Sequence, residues 1–256
     1  MSDMATPGTY VDRSSYLENI AEEGARIIRI AQQGPMDARV AHLGGWQLGD
    51  VVAHLGGVHR WATEILVTGA MPAGPRRGTD RGEVLISWFD EGLQLLISVL
   101  AASDLDGPCP NPCLGSPTTK GFWARRQAHE TTMHRWDIES TIGKATIADP
   151  LFATDGIDEL LDTFTRIRSE QVLTGPIALT ATDTSSTWVV SPAEQHGRVM
   201  IRRTQAEPSD VVATISGPAQ KLLLALWHRL TIDEARLSVT GSHSIALDFI
   251  TGPVSP

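Results

Sequence analysis

Trp123-Ala-Arg-Arg-Gln-Ala-His-Glu-Thr-Thr-Met-His-Arg-Trp-Asp137 is the stretch that decides how this chain folds and where its chemistry lies. Read as a helix, four positions at about 100° per residue leave Glu130 and His134 only about 40° apart, so two metal-ligand types share one face. His129 stands five positions before His134, about 140° away around the helix, and cannot join them. The run is therefore not the H-E-x-x-H zinc-protease motif, in which two His four apart flank a general-base Glu. Glu130 reads here as a ligand, and His129 as a bystander or part of a pocket wall.

A second segment, Val51-Val-Ala-His-Leu-Gly-Gly57, supplies His54. Two His and one carboxylate with an open fourth position are what a catalytic zinc site requires. The same donors suit a non-haem Fe(II) site, although that class usually builds its triad on a β-barrel rather than on helices. Each residue also has a plainer reading. His54 alone reads as a satisfied structural histidine on an apolar helix, and Glu130 with His134 as an exposed i,i+4 contact. The coincidence of all three favours the metal.

Outward from these motifs, helical periodicity runs over 10–33, 46–67, 84–100 and 119–142, with Gly34-Pro35, the Gly/Pro-rich 69–78 and Gly143 as breaks. Short connections predict an up-down four-helix bundle, whose facing helices bring His54 on the second helix to Glu130 and His134 on the fourth. After about Pro150 the pattern changes. A helix over 151–171 precedes short β-branched runs at 176–182, 186–191, 198–203 and 211–216, with a turn at Gln195-His-Gly197. Gly217-Pro218 opens an apolar helix through Trp227, followed by a strand at 236–240 and a helix from Ser242. The fold class is α+β in two domains, 1–150 and 151–256.

A hydrophobic content of 41% with 20% charged residues describes an ordinary globular chain, and a net charge of -9 argues against nucleic acid or an anionic membrane as partner. No apolar run approaches the roughly 20 residues of a membrane span, and Met1-Ser-Asp-Met-Ala-Thr-Pro-Gly has neither a basic nor an apolar leader segment, so a cytoplasmic location is expected. Cys109 and Cys113, in a Pro-rich loop, read as loop thiols.

Gly45-Trp46, Asp50-Val-Val-Ala-His54-Leu-Gly-Gly, His59-Arg-Trp61 and His129-Glu130-Thr-Thr-Met-His134-Arg-Trp-Asp137 together resemble the mycothiol-dependent maleylpyruvate isomerase family of the DinB-like four-helix superfamily. Thr182-Asp183 before Trp188, Ser216-Gly-Pro-Ala219, Leu222-Leu-Leu-Ala-Leu-Trp-His-Arg229 and Val239-Thr-Gly241 resemble that family's C-terminal domain, whose fold is similar to sterol-carrier proteins. The resemblance implies a divalent zinc on His54, Glu130 and His134, with the fourth position open to the thiol of mycothiol. It further implies a small, anionic electrophile, either isomerised cis-trans or joined to the thiol, and Arg229 as a carboxylate partner. A metal-free module holding an apolar ligand in the sterol-carrier-like domain is the non-catalytic alternative. The protein is expected as a monomer or homodimer.

Three departures from the family pattern stand out. His42-Leu-Gly-Gly-Trp46 replaces the frequent Cys-Pro-Gly-Trp, and Gly241-Ser242 replaces Gly-Asp; both are expected to alter only turns and helix starts. His228 replaces a common Gly and puts bulk and a titratable group beside Arg229, which bears on the choice of substrate. Around the metal motifs, Asp50 either orients His54 or favours the start of its helix. His59 and Trp61 are core or pocket lining, and Arg135 is expected on another face, in a surface or interdomain ion pair.

Overall fold

The computed structural model describes residues 11–113, 116–165, 173–193, 199–205, 208–252 and 254. Its contacts divide into two compact units, Arg13–Ile147 and one built mainly of Ala148–Pro256.

The first unit contains α1 (Arg13–Gln33), α2 (Leu48–Thr68), α3 (Gly82–Ala101) and α4 (Lys120–Thr141). Each of α1 and α2 packs chiefly on α3 and α4, so α2 and α4 are neighbours. The connections run 34–47, 69–81 and 102–119, longer than the short links expected, and that length lets the chain step across the bundle from α1 to α2 and from α3 to α4. Tyr16, Ile20, Ile27 and Ala31 put the apolar stripe of α1 inward at helical spacing. The α2 helix starts where the Gln47 backbone N–H donates to the Asp50 carboxylate at 3.0 Å, and ends at Gly69, whose φ of 67° is the left-handed C-terminal stop. Gly143, φ 67°, does the same after α4.

Helices α3 and α4 have opposite compositions. By length and composition α3 passes for a membrane span, with an 18-residue window of mean hydropathy 1.5, although Asp90 and Glu91 break its apolar run. In the bundle its Leu85, Phe89, Leu93 and Leu96 stripe is buried. The α4 helix has almost no apolar face, yet it buries Arg126, Gln127, His129, Thr131, Thr132, His134, Arg135, Asp137 and Glu139. Buried polar side chains need partners, so α4 must be crossed by hydrogen bonds.

The second unit begins with α5 (Pro150–Leu160), capped by Asp149 and continued by a π-helical turn, Leu161–Thr165. The expected helix limit at 171 and the turn at Gln195-His-Gly197 lie outside the described residues, as does Arg198. Strands β1 (Ile177–Ala181), β2 (Ser186–Pro192), β3 (Val199–Thr204), β4 (Ala213–Gly217) and β5 (Ser238–Gly241) form one sheet in the order β3-β2-β1-β4-β5. Only β1 and β4 pair in parallel. Helix α6 (Ala219–Leu226) packs on β1 and β4, and α8 (His243–Thr251) on β4 and β5. Where a strand was expected from 236, a four-residue helix α7 (Ile232–Ala235) precedes Arg236 in the left-handed region at φ 54°, and β5 starts only at Ser238. The Thr231 and Glu234 capping pair explains that turn.

Candidate metal centre

The adjacency of α2 and α4 brings His54, Glu130 and His134 together, with one ligand atom from each lying within 4.8 Å of the others. The Glu130 Oε1 atom stands 3.2 Å from His134 Nε2 and 3.6 Å from His54 Nε2. Bonds of about 2.05 Å at tetrahedral angles put neighbouring ligand atoms roughly 3.3 Å apart, so the donor set and its spacing fit a divalent zinc. Among the described residues, His54, Glu130 and His134 are the His, Cys, Asp or Glu side chains grouped closely enough to share an ion there.

The surroundings leave the ligating atoms unspent. His134 Nδ1 meets Asp137 Oδ2 at 2.8 Å, which fixes the ring with Nε2 toward Glu130. The other Asp137 oxygen meets His42 Nε2 at 2.6 Å, and the His42 ring leans on Trp136 with centroids 5.2 Å apart. Arg126, one turn before Glu130, donates to the second carboxylate oxygen, Oε2. The Trp46 ring stands edge-on to His54, centroids 5.2 Å apart.

Electrostatics follow this wiring. Burial opposes charge on Glu130, but Arg126, His134 and His54 outweigh it and hold the carboxyl well below its ordinary value. Burial likewise opposes charge on His134, yet the hydrogen bonds its ring donates to Asp137 and Glu130 prevail and carry it up to about 9. A metal ion must displace that proton.

The other predicted residues lie elsewhere. Asp50 accepts from the Gln47 backbone at the start of α2. His59 is fully buried beside Phe89, 3.0 Å from Thr131 Oγ1, and burial pushes it down to about 3, so it stays neutral. Trp61 stacks edge-to-face on Trp123 and lines a cavity described below. His129 packs against Tyr16, ring centroids 6.3 Å apart. Arg229 and His228 belong to the second unit. The Arg229 Nη1 atom donates to the Trp227 carbonyl, and His228 Nε2 meets the Ile250 carbonyl at 2.9 Å. His228 has φ 58°, in the left-handed region that favours glycine.

Two expectations are corrected. Arg135 is not a surface or interdomain pair: it is fully buried inside the bundle, bonded to Glu23, to Glu139 at 2.8 Å and to the Thr146 carbonyl. The face next to that of His134 meets α1 rather than solvent. His42 does more than alter a turn, because it holds Asp137. The i,i+3 spacing of His134 and Asp137 was a readable signal for that contact, whereas nothing in the sequence links His42 to either.

The cluster, built from two neighbouring helices of a bundle and joined in sequence to a mixed-sheet unit, defines a class of two-unit helical proteins with a two-histidine, one-carboxylate centre. Residues 17–139 match the family model described as the mycothiol maleylpyruvate isomerase N-terminal domain, and 152–244 match the C-terminal domain of the same isomerase. The chain belongs to the mycothiol-dependent maleylpyruvate isomerase family, a family of enzymes. No curated protein sequence matches it. It is similar in fold to the crystal structure of a mycothiol-dependent maleylpyruvate isomerase, with TM-score 0.65, 12% identity and coverage of 90% of this chain and 93% of that one. A histidine-to-alanine mutant of such an isomerase aligns with TM-score 0.63, 11% identity and the same coverage.

Proposed function

We propose that this chain is a zinc enzyme that uses mycothiol as nucleophile against a small, anionic, electrophilic substrate. The three converging ligand atoms of His54, Glu130 and His134 carry this reading. When bound there, zinc supplies a charge that lowers the pKa of a thiol, making thiolate available at neutral pH.

The chain's own residues orient and exclude. Asp137, held by His42, fixes the tautomer of His134, and Arg126 keeps one Glu130 oxygen occupied so that the other faces the ligands. Trp46 covers His54 on one side. For an isomerisation, the thiol of mycothiol held near His54, Glu130 and His134 would supply a nucleophile able to add reversibly to an activated double bond, so that the one carbon–sulfur bond formed is also the one broken. Nothing is consumed. In a transfer, the same carbon–sulfur bond is kept and a leaving group departs. From the resemblance, Arg229 is assigned to a substrate carboxylate. The reading includes a cytoplasmic monomer or homodimer, and the net charge of -9 supports a partner that is neither nucleic acid nor an anionic membrane.

The test combines metal analysis of the purified protein with product analysis by mass spectrometry after incubation with mycothiol and maleylpyruvate or other unsaturated oxo acids. Stoichiometric zinc and turnover only with mycothiol are expected. Full turnover without thiol, or an iron protein consuming oxygen, would replace this reading with non-haem iron chemistry. Absence of any metal would leave a binding module.

A further inference from the structure

The segment 69–81 between α2 and α3 passes along α2 at the turn that carries His54. Gly78 donates its backbone N–H to the carbonyl of Ala53 at 3.1 Å, immediately before His54. Three residues after His54, a Cβ on Gly57 would lie 2.3 Å from the Arg76 carbonyl oxygen, so only glycine admits the strap so close. The backbone of Arg77 is thus pinned on both sides of the metal-ligand turn. Its guanidinium lies 3.8 Å over the Trp46 ring, and that ring in turn abuts the imidazole of His54. One aromatic ring separates the cation from the candidate centre.

Arg77 is exposed, and among the described residues no ion pair or hydrogen bond engages its guanidinium. Stacking uses the face of the group and leaves the in-plane N–H donors available for a bidentate acceptor. Arg77 also borders a cavity of about 430 Å³ whose lining includes Arg76, Glu64 and Asp80, together with Arg60, which is committed to the Trp88 carbonyl at 2.7 Å and pairs with Glu91 at 3.9 Å.

We infer that Arg77, seated on Trp46, is the bundle's own carboxylate-binding residue, gripping one carboxylate of a small dicarboxylate so that its reactive carbon faces the His54–Glu130–His134 centre. The inference deepens the function proposed above and rests on it for the identity of the reacting centre. Recognition of the carboxylate can be measured without turnover.

The experiment is calorimetric titration of succinate, a saturated dicarboxylate that cannot isomerise, into the purified full-length protein with and without added zinc. Wild type is compared with Arg77→Lys, Arg77→Gln and Arg202→Gln, the last removing one exposed positive charge from β3 in the other unit. Arg77→Gln is expected to bind succinate at least tenfold more weakly than both wild type and Arg202→Gln, with zinc content unchanged. Arg77→Lys should fall between, since an ammonium cannot offer the planar fork. Dimethyl succinate should not discriminate among the variants. Equal succinate affinity in wild type and Arg77→Gln, no binding to wild type, or loss of zinc from Arg77→Gln would each overturn the assignment. Arg77-dependent succinate binding without any mycothiol-dependent turnover would keep this inference and sink the proposed reaction. Mycothiol-dependent turnover with Arg77-independent binding would do the reverse.

Discussion

Each unit buries a network of charged groups, and the two networks are finished differently. In the second unit, Arg203 joins α5 and its π-helical continuation to β3 by pairing with Asp158 and with Asp162 at 2.7 Å, while the Trp188 indole N–H also donates to Asp158. A buried carboxylate there meets a permanent cation whose N–H groups point into the network, and the result is a closed ion pair that ties helix to sheet. In the bundle, Glu130 has one oxygen met by Arg126 and the other facing two imidazole nitrogens. The unfinished side is where an ion fits. Buried charge by itself does not mark a functional centre; what marks one is a set of ligand atoms directed at the same point.

Removing a ligand should break the contrast most visibly. Glu130→Ala is expected to leave the protein folded but nearly free of zinc, with activity down roughly a thousandfold, because the ion supplies several kcal/mol of charge stabilisation. Metal analysis and kcat on the same preparation check this, and retained stoichiometric zinc would refute the centre. Arg203→Ala should have the opposite profile. It removes the cation shared by Asp158 and Asp162 and is expected to cost about 3 kcal/mol in denaturant unfolding, with zinc content unaffected.

His42→Ala sharpens the comparison inside the bundle. If His42 holds Asp137 and through it His134, zinc affinity should fall about 10- to 100-fold while the unfolding midpoint of the metal-free protein changes little. Competition with a chelator measures the first and urea titration the second. A large stability loss with unchanged zinc affinity would make His42 merely structural.

The smallest effect is one of pH, and it separates two buried histidines of the same bundle. His59, lowered to about 3, favours the fold when neutral: its contribution is complete above 6.5 and declines as pH falls toward 3, by about 1.4 kcal/mol at pH 5.5. His134, raised to about 9 in the metal-free protein, has the opposite sign, contributing fully below 6.5 and losing its contribution as pH rises through 9. Urea unfolding of the metal-free protein between pH 5 and 9, compared with His59→Gln and His134→Gln, should show the acid slope flattened in the first variant and the alkaline slope in the second. Identical slopes in wild type and variants would contradict both assignments.

How far the sequence could be read varied with the range of the interaction. Glu130 and His134 announced themselves because their separation is set by helix geometry alone. His54 was legible only through its coincidence with them, since no local pattern says which helices are neighbours. For Arg135 a helix wheel shows which direction the side chain takes but not what it meets there, since α4 is packed by α1 on one side and α2 on another. His42 reads locally as part of a turn because its partner Asp137 is 95 residues away. At the start of β5, capping by Thr231 and Glu234 outweighs β propensity at Arg236, which a local pattern does not reveal.

The sequence by itself determined the helical periods, the breaks at 34–35 and 69–78, the change to a mixed α+β pattern after about Pro150, and the residue types able to ligate an ion. Those properties belong to the local chain and to spacings of a few residues. Only the tertiary structure decided that α2 and α4 are adjacent, that His42 closes on Asp137, that Arg203 saturates one carboxylate pair while Glu130 keeps an oxygen for the histidines, and that Arg77 comes to rest on Trp46. The physical reason is that desolvation and hydrogen-bond partnership depend on distance through space, and packing brings together groups that the chain holds far apart.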